Sequence, residues 1–230
     1  MSASQQPKRS RDPAPGRPKD PAKRQAILAA AQRLFLANGL SAVSVDEIAC
    51  AAGVSKLTVY SHFADKEDLF GQAVAEKCSE YLPPEVFDRA AAMPLRDALV
   101  AIGRGFVDLV FSDAALQLQR LIAMEAPRHP RIGELFWNAG PRRVCDDFVG
   151  FLKNRIAMDQ IAAIDEQQAA GHFFSMLKGL PHMHALVMPA RKPTKAELDR
   201  HAASVIDAFL RAYGVSGNAR PAAAGRKPRT

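Results

Sequence analysis

SAVSVDEIACAAGVSKLTVYSHFADKEDLF, residues 41–70, is the stretch whose reading decides the fold. Ser44 stands where it caps a short helix, and Glu47, three residues on, completes a capping box. Val45, Ile48, Ala49 and Ala52 follow at helical spacing and give that helix one inward stripe. Gly53 then ends the run at a tight turn of the kind that needs a positive φ. Ser55 caps a second short helix, which turns Val59 and Phe63 inward and leaves Lys56, Thr58, Tyr60, Ser61 and His62 for other faces. Small polar, aromatic and cationic groups on a short, firmly seated helix are what reading a DNA major groove requires.

Upstream, residues 22–38 carry Ile27, Ala31, Leu34 and Phe35 along one side, and Asn38-Gly39 ends that helix. Downstream, Asp65 caps a helix over 66–81, packed by Leu69, Phe70, Val74 and Cys78 and stopped by Pro83-Pro84. Helical spacing continues over 95–111, over 113–126 with Asp113 as cap, over 130–138, and on to 156 after a kink at Gly140-Pro141. Two more helices follow over 164–186 and 195–213, the last opened by a capping box of Thr194 and Glu197. No stretch alternates with a period of two. The chain therefore reads as all-α, about nine helices, with a three-helix helix-turn-helix domain over 22–66 and a larger helical domain over 67–213. The helix at 66–81 connects them.

Hydrophobic residues make up 48% of the 230, enough for a sizeable core. Lys and Arg total 31 against 24 Asp and Glu. The excess lies at the ends: residues 1–24 hold seven basic and two acidic residues, and 211–230 hold five basic and none acidic. Basic, Pro-rich ends of this kind, 1–21 and 214–230, read as disordered, either in contact with a polyanion or merely solvated. Cys50, Cys78 and Cys145 are far apart and look like small buried hydrophobes in a reducing cytosol. Neither a leader nor a membrane-length apolar window is present, so a cytoplasmic protein with no membrane partner is expected. No GxSxG, HExxH, phosphate loop or CxxC pair occurs, which argues against an enzyme and against a cofactor. His172, His182 and His184 lack nearby carboxylates and spacing for a metal, so no metal site is expected.

Residues 23–70, through AAQRLFLANGL and SVDEIACAAGVSKLTVYSHFADKEDLF, resemble the N-terminal DNA-binding domain of the TetR family of bacterial transcriptional regulators. Farther along, QRLIAMEAPRHPRIGELFWNAGPRR, residues 119–143, resembles the subgroup with an AefR-type C-terminal domain, which includes regulators of multidrug efflux genes. The resemblance implies a homodimer on palindromic double-stranded operator DNA. It also implies that 67–213 is a ligand-binding and dimerisation domain whose small ligand relieves repression. The function implied is a ligand-released repressor of efflux or related genes. A constitutive DNA-binding regulator, or a ligand-dependent activator, remains the alternative. The DNA-contact positions carried over are Ser44, Asp46, Ser55, Lys56, Thr58, Tyr60, His62 and Lys66. Leu57 departs from the family, which usually has a small residue there; it meets a thymine methyl or shields the phosphate contacts.

Lys56 is the best base-edge candidate, since Lys donates to guanine O6 and N7, with a plain solvated Lys as the alternative. Tyr60 and His62 reach phosphate or base edges, or else lie partly buried between helices. Thr58 suits a methyl or a phosphate, and Lys66 reads as a positioning charge on the DNA backbone. Arg17, in Gly16-Arg17-Pro18-Lys19, has the form of a minor-groove insert or of ordinary linker. In the larger domain, Phe106, Leu109, Met124, Trp137, Phe173, Met176 and Leu177 supply either a sealed core or the walls of a cavity for an amphipathic or aromatic effector. Arg120 joins Glu125, Arg128 and His129 in an expected polar network, or else meets that ligand. Phe174, Leu180, Val205, Ile206, Phe209 and Leu210 are expected in a four-helix dimer interface built by the last two helices of each chain.

Overall fold

Caps written into the sequence start most of the helices. The computed structural model describes residues 20–163 and 165–215. Asp20 accepts from the Ala22 N–H at the start of α1 (Pro21–Ala42), and Ser44 and Glu47 close a reciprocal box on α2 (Val45–Ala51). Ser55 starts α3 (Lys56–His62) and Asp65 starts α4 (Lys66–Tyr81). α5 (Glu85–Ala91) and α6 (Leu95–Val110) begin on Pro84 and Pro94, without a side-chain cap. Ser112, not the expected Asp113, caps α7 (Asp113–Glu125), while Asp113 takes the first turn, where a carboxylate faces the positive end of the helix. α8 (Pro130–Ala139) and α9 (Pro141–Ala157) meet at Gly140. Asp165 caps α10 (Glu166–Val187), and the Thr194–Glu197 box opens α11 (Lys195–Tyr213).

The described residues are all-helical, with eleven helices where the spacing predicts about nine. α5 lies just beyond the Pro83-Pro84 stop. Proline ends one helix but is well suited to begin another, because its missing N–H has no partner in a first turn. Arg155 on α9 then holds the far end of α5: its guanidinium donates to the Ala90 and Met93 carbonyls and to Gln160, and lies over the Phe151 ring. In α10 the break falls at Gly179 (φ 49, ψ −159) rather than at Pro181. Pro181 occupies the opening turn of the second half, so helical pairing resumes around it.

Two hydrophobic cores result. The first takes Ile27, Phe35, Ile48, Val59 and Phe63 from α1 to α3 and its border, Leu69, Phe70 and Val74 from α4, and Ile122 and Ile132 from α7 and α8. The second is built by α5, α6, α9, α10 and α11 around three phenylalanines. Phe148 stacks on Phe173 at 4.6 Å between centroids, and Phe173 meets Phe209 edge-on at 5.0 Å. Helix α4 serves both, since Cys78 packs against the second core while Phe70 and Val74 sit in the first. Arg17 and the basic ends, apart from residues 20–21 and 214–215, lie outside the described residues.

At Gly39 the backbone of α1 swings to φ 82, ψ 162, a region open essentially to glycine alone. A Cβ there would also collide with the Glu125 carboxylate of α7. Gly39→Ala is therefore expected to cost about 1–3 kcal/mol of stability from strain alone. Urea denaturation checks it, and a second change, Glu125→Ala, should recover the collision but not the strain.

Candidate nucleic-acid interface and internal cavity

The turn between α2 and α3 is made by Gly53, at φ 66, and the hydrogen bond from Val54 N to Ala49 O. Val59 and Phe63 anchor α3 in the first core with 2% of their surface exposed. The opposite face carries Lys56, Leu57, Tyr60 and Ser61, all exposed. Leu57 is 80% exposed, a large apolar side chain standing on a polar surface. Lys56 donates to Asp46 across the turn at 2.8 Å, and that bond raises the lysine's pKa.

Several expected DNA contacts are already committed inside the protein. Ser44 is spent on its box with Glu47, and Ser55 accepts from Thr58 N and pairs with the Thr58 hydroxyl at 2.9 Å. Asp46 accepts from Lys56 across the turn. His62 is half-buried beside Phe63, with a buried Nδ1 that has no hydrogen-bond partner among the described residues. Lys66 corrects the expectation most clearly. Its amine donates to the carbonyls of Leu40 at 2.9 Å and Val43 at 3.0 Å, so it ties the α1–α2 corner to the start of α4. Two of its three donors are thus used within the fold.

Between the two cores lies a cavity of about 310 Å³. Phe35 of α1 and Phe70, Val74 and Cys78 of α4 line it from one side, and Phe106, Leu109 and Phe174 from the other. Phe136 and Trp137 of α8 and Leu118 of α7 complete the apolar wall. Of the expected ligand residues, Phe106, Leu109 and Trp137 are here. Met124 is not: it is 72% exposed on the outer side of α7. Phe173 and Leu177 are sealed in the second core at 0% exposure, and Met176 packs against that core away from the cavity. Arg120 is engaged elsewhere, donating to the carbonyls of Ala185 and Leu186 at 2.7 Å each and capping the end of α10. The network expected around it does not form: Glu125 presses on Gly39, and Arg128 and His129 are exposed.

The expected interface is also redrawn. Phe174 is a cavity wall, its ring 4.4 Å from that of Phe106. Val205, Ile206, Phe209 and Leu210 are buried within the protomer and hold α11 onto the second core, which leaves Leu180 as the member free to meet a partner. Adjacent aromatics such as Phe173 and Phe174 face different directions on a helix, one to the core and one to the cavity. Gly171, Phe174, Ser175 and Lys178 share the cavity face at i, i+3, i+4 and i+7, a signal the sequence carries and the expectation missed. The contributions from α1 and α4 had no such signal, because they depend on how the cores meet. No group of three potential metal ligands occurs among the described residues, and no described helix is long and apolar enough to cross a membrane.

Comparison with known proteins fits this geometry. Residues 27–73 match the family described as bacterial regulatory proteins of the tetR family, and residues 97–215 match the AefR-like transcriptional repressor C-terminal domain. The head is 49% identical over 47 residues to the HTH-type transcriptional repressor BepR of Brucella suis, a match that covers 20% of this chain and 22% of BepR. A solved structure from Mesorhizobium loti, assigned to the TetR-family transcriptional regulators, is 32% identical with a TM-score of 0.69, covering 84% of this chain and 97% of that one. The flavonoid-responsive regulator FrrA is 29% identical with a TM-score of 0.64, over 85% of this chain and 98% of that one.

Beyond the Gly179 break in α10, His182 is buried, its ring edge-on to Phe111 at 5.5 Å and its Nε2 without a hydrogen-bond partner among the described residues. Burial, then the nearby Lys178 ammonium, pushes its pKa from 6.5 down to about 4, against a hydrogen bond to the Val110 backbone. The unfolded chain takes up this proton near pH 6.5 and the folded one only near 4, so this contribution to stability is complete above 6.5 and shrinks as pH falls. Urea denaturation at pH 7.5 and pH 5 should show His182→Gln losing less stability on acidification than the parent does.

Proposed function

Because this chain belongs to the TetR family of bacterial regulatory proteins, we propose that it is a cytoplasmic repressor released from a palindromic operator by a small amphipathic or aromatic compound. Genes of efflux or a related defence are the targets this reading favours. The observation that carries it is the cavity between the cores, because α4 is at once its wall and the support of the DNA-reading head. FrrA, nearly all of which matches this chain in fold, is described as flavonoid-responsive, in keeping with an aromatic effector. No reacting group is needed: the protein binds DNA and a compound and converts neither.

In this reading α3 lies in the major groove with Lys56, Leu57, Tyr60 and Ser61 toward the bases and phosphates. Asp46 holds Lys56 extended until guanine O6 and N7 replace the carboxylate, and Leu57 contacts a thymine methyl. A compound in the cavity presses on Phe70, Val74 and Cys78, moves α4, and changes the separation of two heads that the operator needs about one helical turn apart. The compound acts by its difference in affinity for the two head spacings; a tenfold difference is about 1.4 kcal/mol. The unfilled space favours this over a constitutive regulator. The sign of regulation follows from operator position relative to the promoter, and an operator that overlaps the promoter gives repression.

The dimer this requires is formed on α10. Leu180, Met183 and Val187 are 83%, 60% and 64% exposed, and on the half of α10 beyond Gly179 they follow spacings of three and four, the pattern of a helix-packing seam. Two copies of this stripe, flanked by α11, make an isologous contact.

Selection of DNA fragments by the purified protein, then release by aromatic compounds, tests the function; failure to enrich a palindrome, or enrichment with no compound able to release it, would contradict it. In the same selection Lys56→Ala should relax one position of each half-site, a loss of about 1–3 kcal/mol against the preferred base. For the interface, the double change Leu180→Glu, Met183→Glu should give a folded monomer in sedimentation with weakened operator binding. An unchanged dimer would place the contact elsewhere.

A further inference from the structure

The charge inventory of the cavity narrows what it receives. Its wall has two cations, Lys77 and Lys178, and no aspartate or glutamate. Lys77 is occupied: its amine donates to Glu80 at 2.7 Å and lies 5.0 Å over the Tyr81 ring. Lys178 is half-buried, and among the described residues no hydrogen bond or ion pair reaches its amine. The thiols beside it supply no counter-charge. Burial pushes Cys78 up to about 11 and also raises Cys145, so both stay neutral. Lys178 therefore carries the one uncompensated charge on this wall, on the face of α10 that also presents Phe174 and Ser175.

We propose, resting on the effector-cavity reading above, that the compound is a weak organic acid: an apolar, preferably aromatic, body whose carboxylate or phenolate is held by Lys178. An ammonium drawn from water into an apolar wall is disfavoured until an anion approaches, and their attraction there is stronger than in bulk water. The direction of the lysine's own pKa agrees, lowered first by burial. A neutral compound leaves that cost in place, and a cationic one adds repulsion. The other polar groups suit orientation rather than charge. Gln32 donates its amide to the Ala73 carbonyl at 3.1 Å, which leaves its own oxygen free. At about 310 Å³ the space is at the small end for ligand pockets, which fits a one- or two-ring body.

The test pairs acids with neutral look-alikes of the same shape: 1-naphthoate and biphenyl-4-carboxylate against their primary carboxamides. Binding is followed by calorimetry and by fluorescence of Trp137, the single tryptophan and a cavity residue. The full-length protein should bind the carboxylates at least tenfold tighter than the amides. Lys178→Met should abolish that preference while keeping amide affinity, Lys178→Arg should retain it, and Lys77→Met should leave it unchanged. Equal binding of acid and amide by the parent overturns the proposal whether or not the variants fold, and so does a preference that survives in Lys178→Met. Operator affinity measured alongside separates the two readings. Acids held through Lys178 that leave the operator bound support the ligand class and sink the release mechanism. Acids and amides that release the operator equally do the reverse, and if neither series binds, both fall.

Discussion

Helix α4 belongs to two hydrophobic cores at once, and the rest of the structure follows from that sharing. Its first turns, through Leu69, Phe70 and Val74, close the core that seats the recognition helix. Its last turn, through Cys78, lies on the core of the larger domain, and the Tyr81 carbonyl sits so near Gly105 of α6 that a Cβ there would stand 2.8 Å away. Packed interiors resist continuous deformation and favour discrete arrangements. A helix held at both ends by close packing but bordered in its middle by unfilled apolar space can shift between such arrangements. In the proposed function that shift is the switch, and the cavity is where the two cores fail to meet.

The head is fastened so that such a shift is transmitted rather than absorbed. Lys66 bonds the α1–α2 corner to the start of α4, and Arg131 of α8 pairs with Glu67 at 3.0 Å in the same turn. Gln117 of α7 donates to the Leu36 carbonyl at 3.0 Å, so α1 is held from the larger domain as well. The recognition helix itself has little independent freedom, because Val59 and Phe63 are buried in the core that α4 closes. Local electrostatics then dresses the exposed face. Lys56 is kept extended by Asp46, an exposed pair of modest strength that is easily exchanged for a stronger partner.

What the sequence made legible was local. The capping boxes at Ser44 and Thr194 and the turn at Gly53 stand where spacing and side-chain chemistry put them, because those interactions span only a few residues. The exposed face of α3 was legible for the same reason. Residues whose role depends on a distant partner were not. Lys66 looked like a DNA contact because nothing nearby in sequence reveals that the Leu40 and Val43 carbonyls lie within its reach. Phe209 and Phe173 looked like interface and cavity, yet both are needed by the protomer's own core. Apolar spacing identifies a buried side but not what buries it. Lys178 escaped notice because its meaning lies in an absence of partners, which only the packed structure displays.

If the cavity and the operator compete through α4, their coupling must be reciprocal. The decisive measurement is the affinity of one cavity-bound compound for the free protein and for the protein saturated with operator, at a single salt concentration. Operator should weaken the compound's binding by the same factor by which the compound weakens the operator's. Equal affinity for the free and operator-bound protein, by a compound shown to occupy the site beside Trp137, would contradict it.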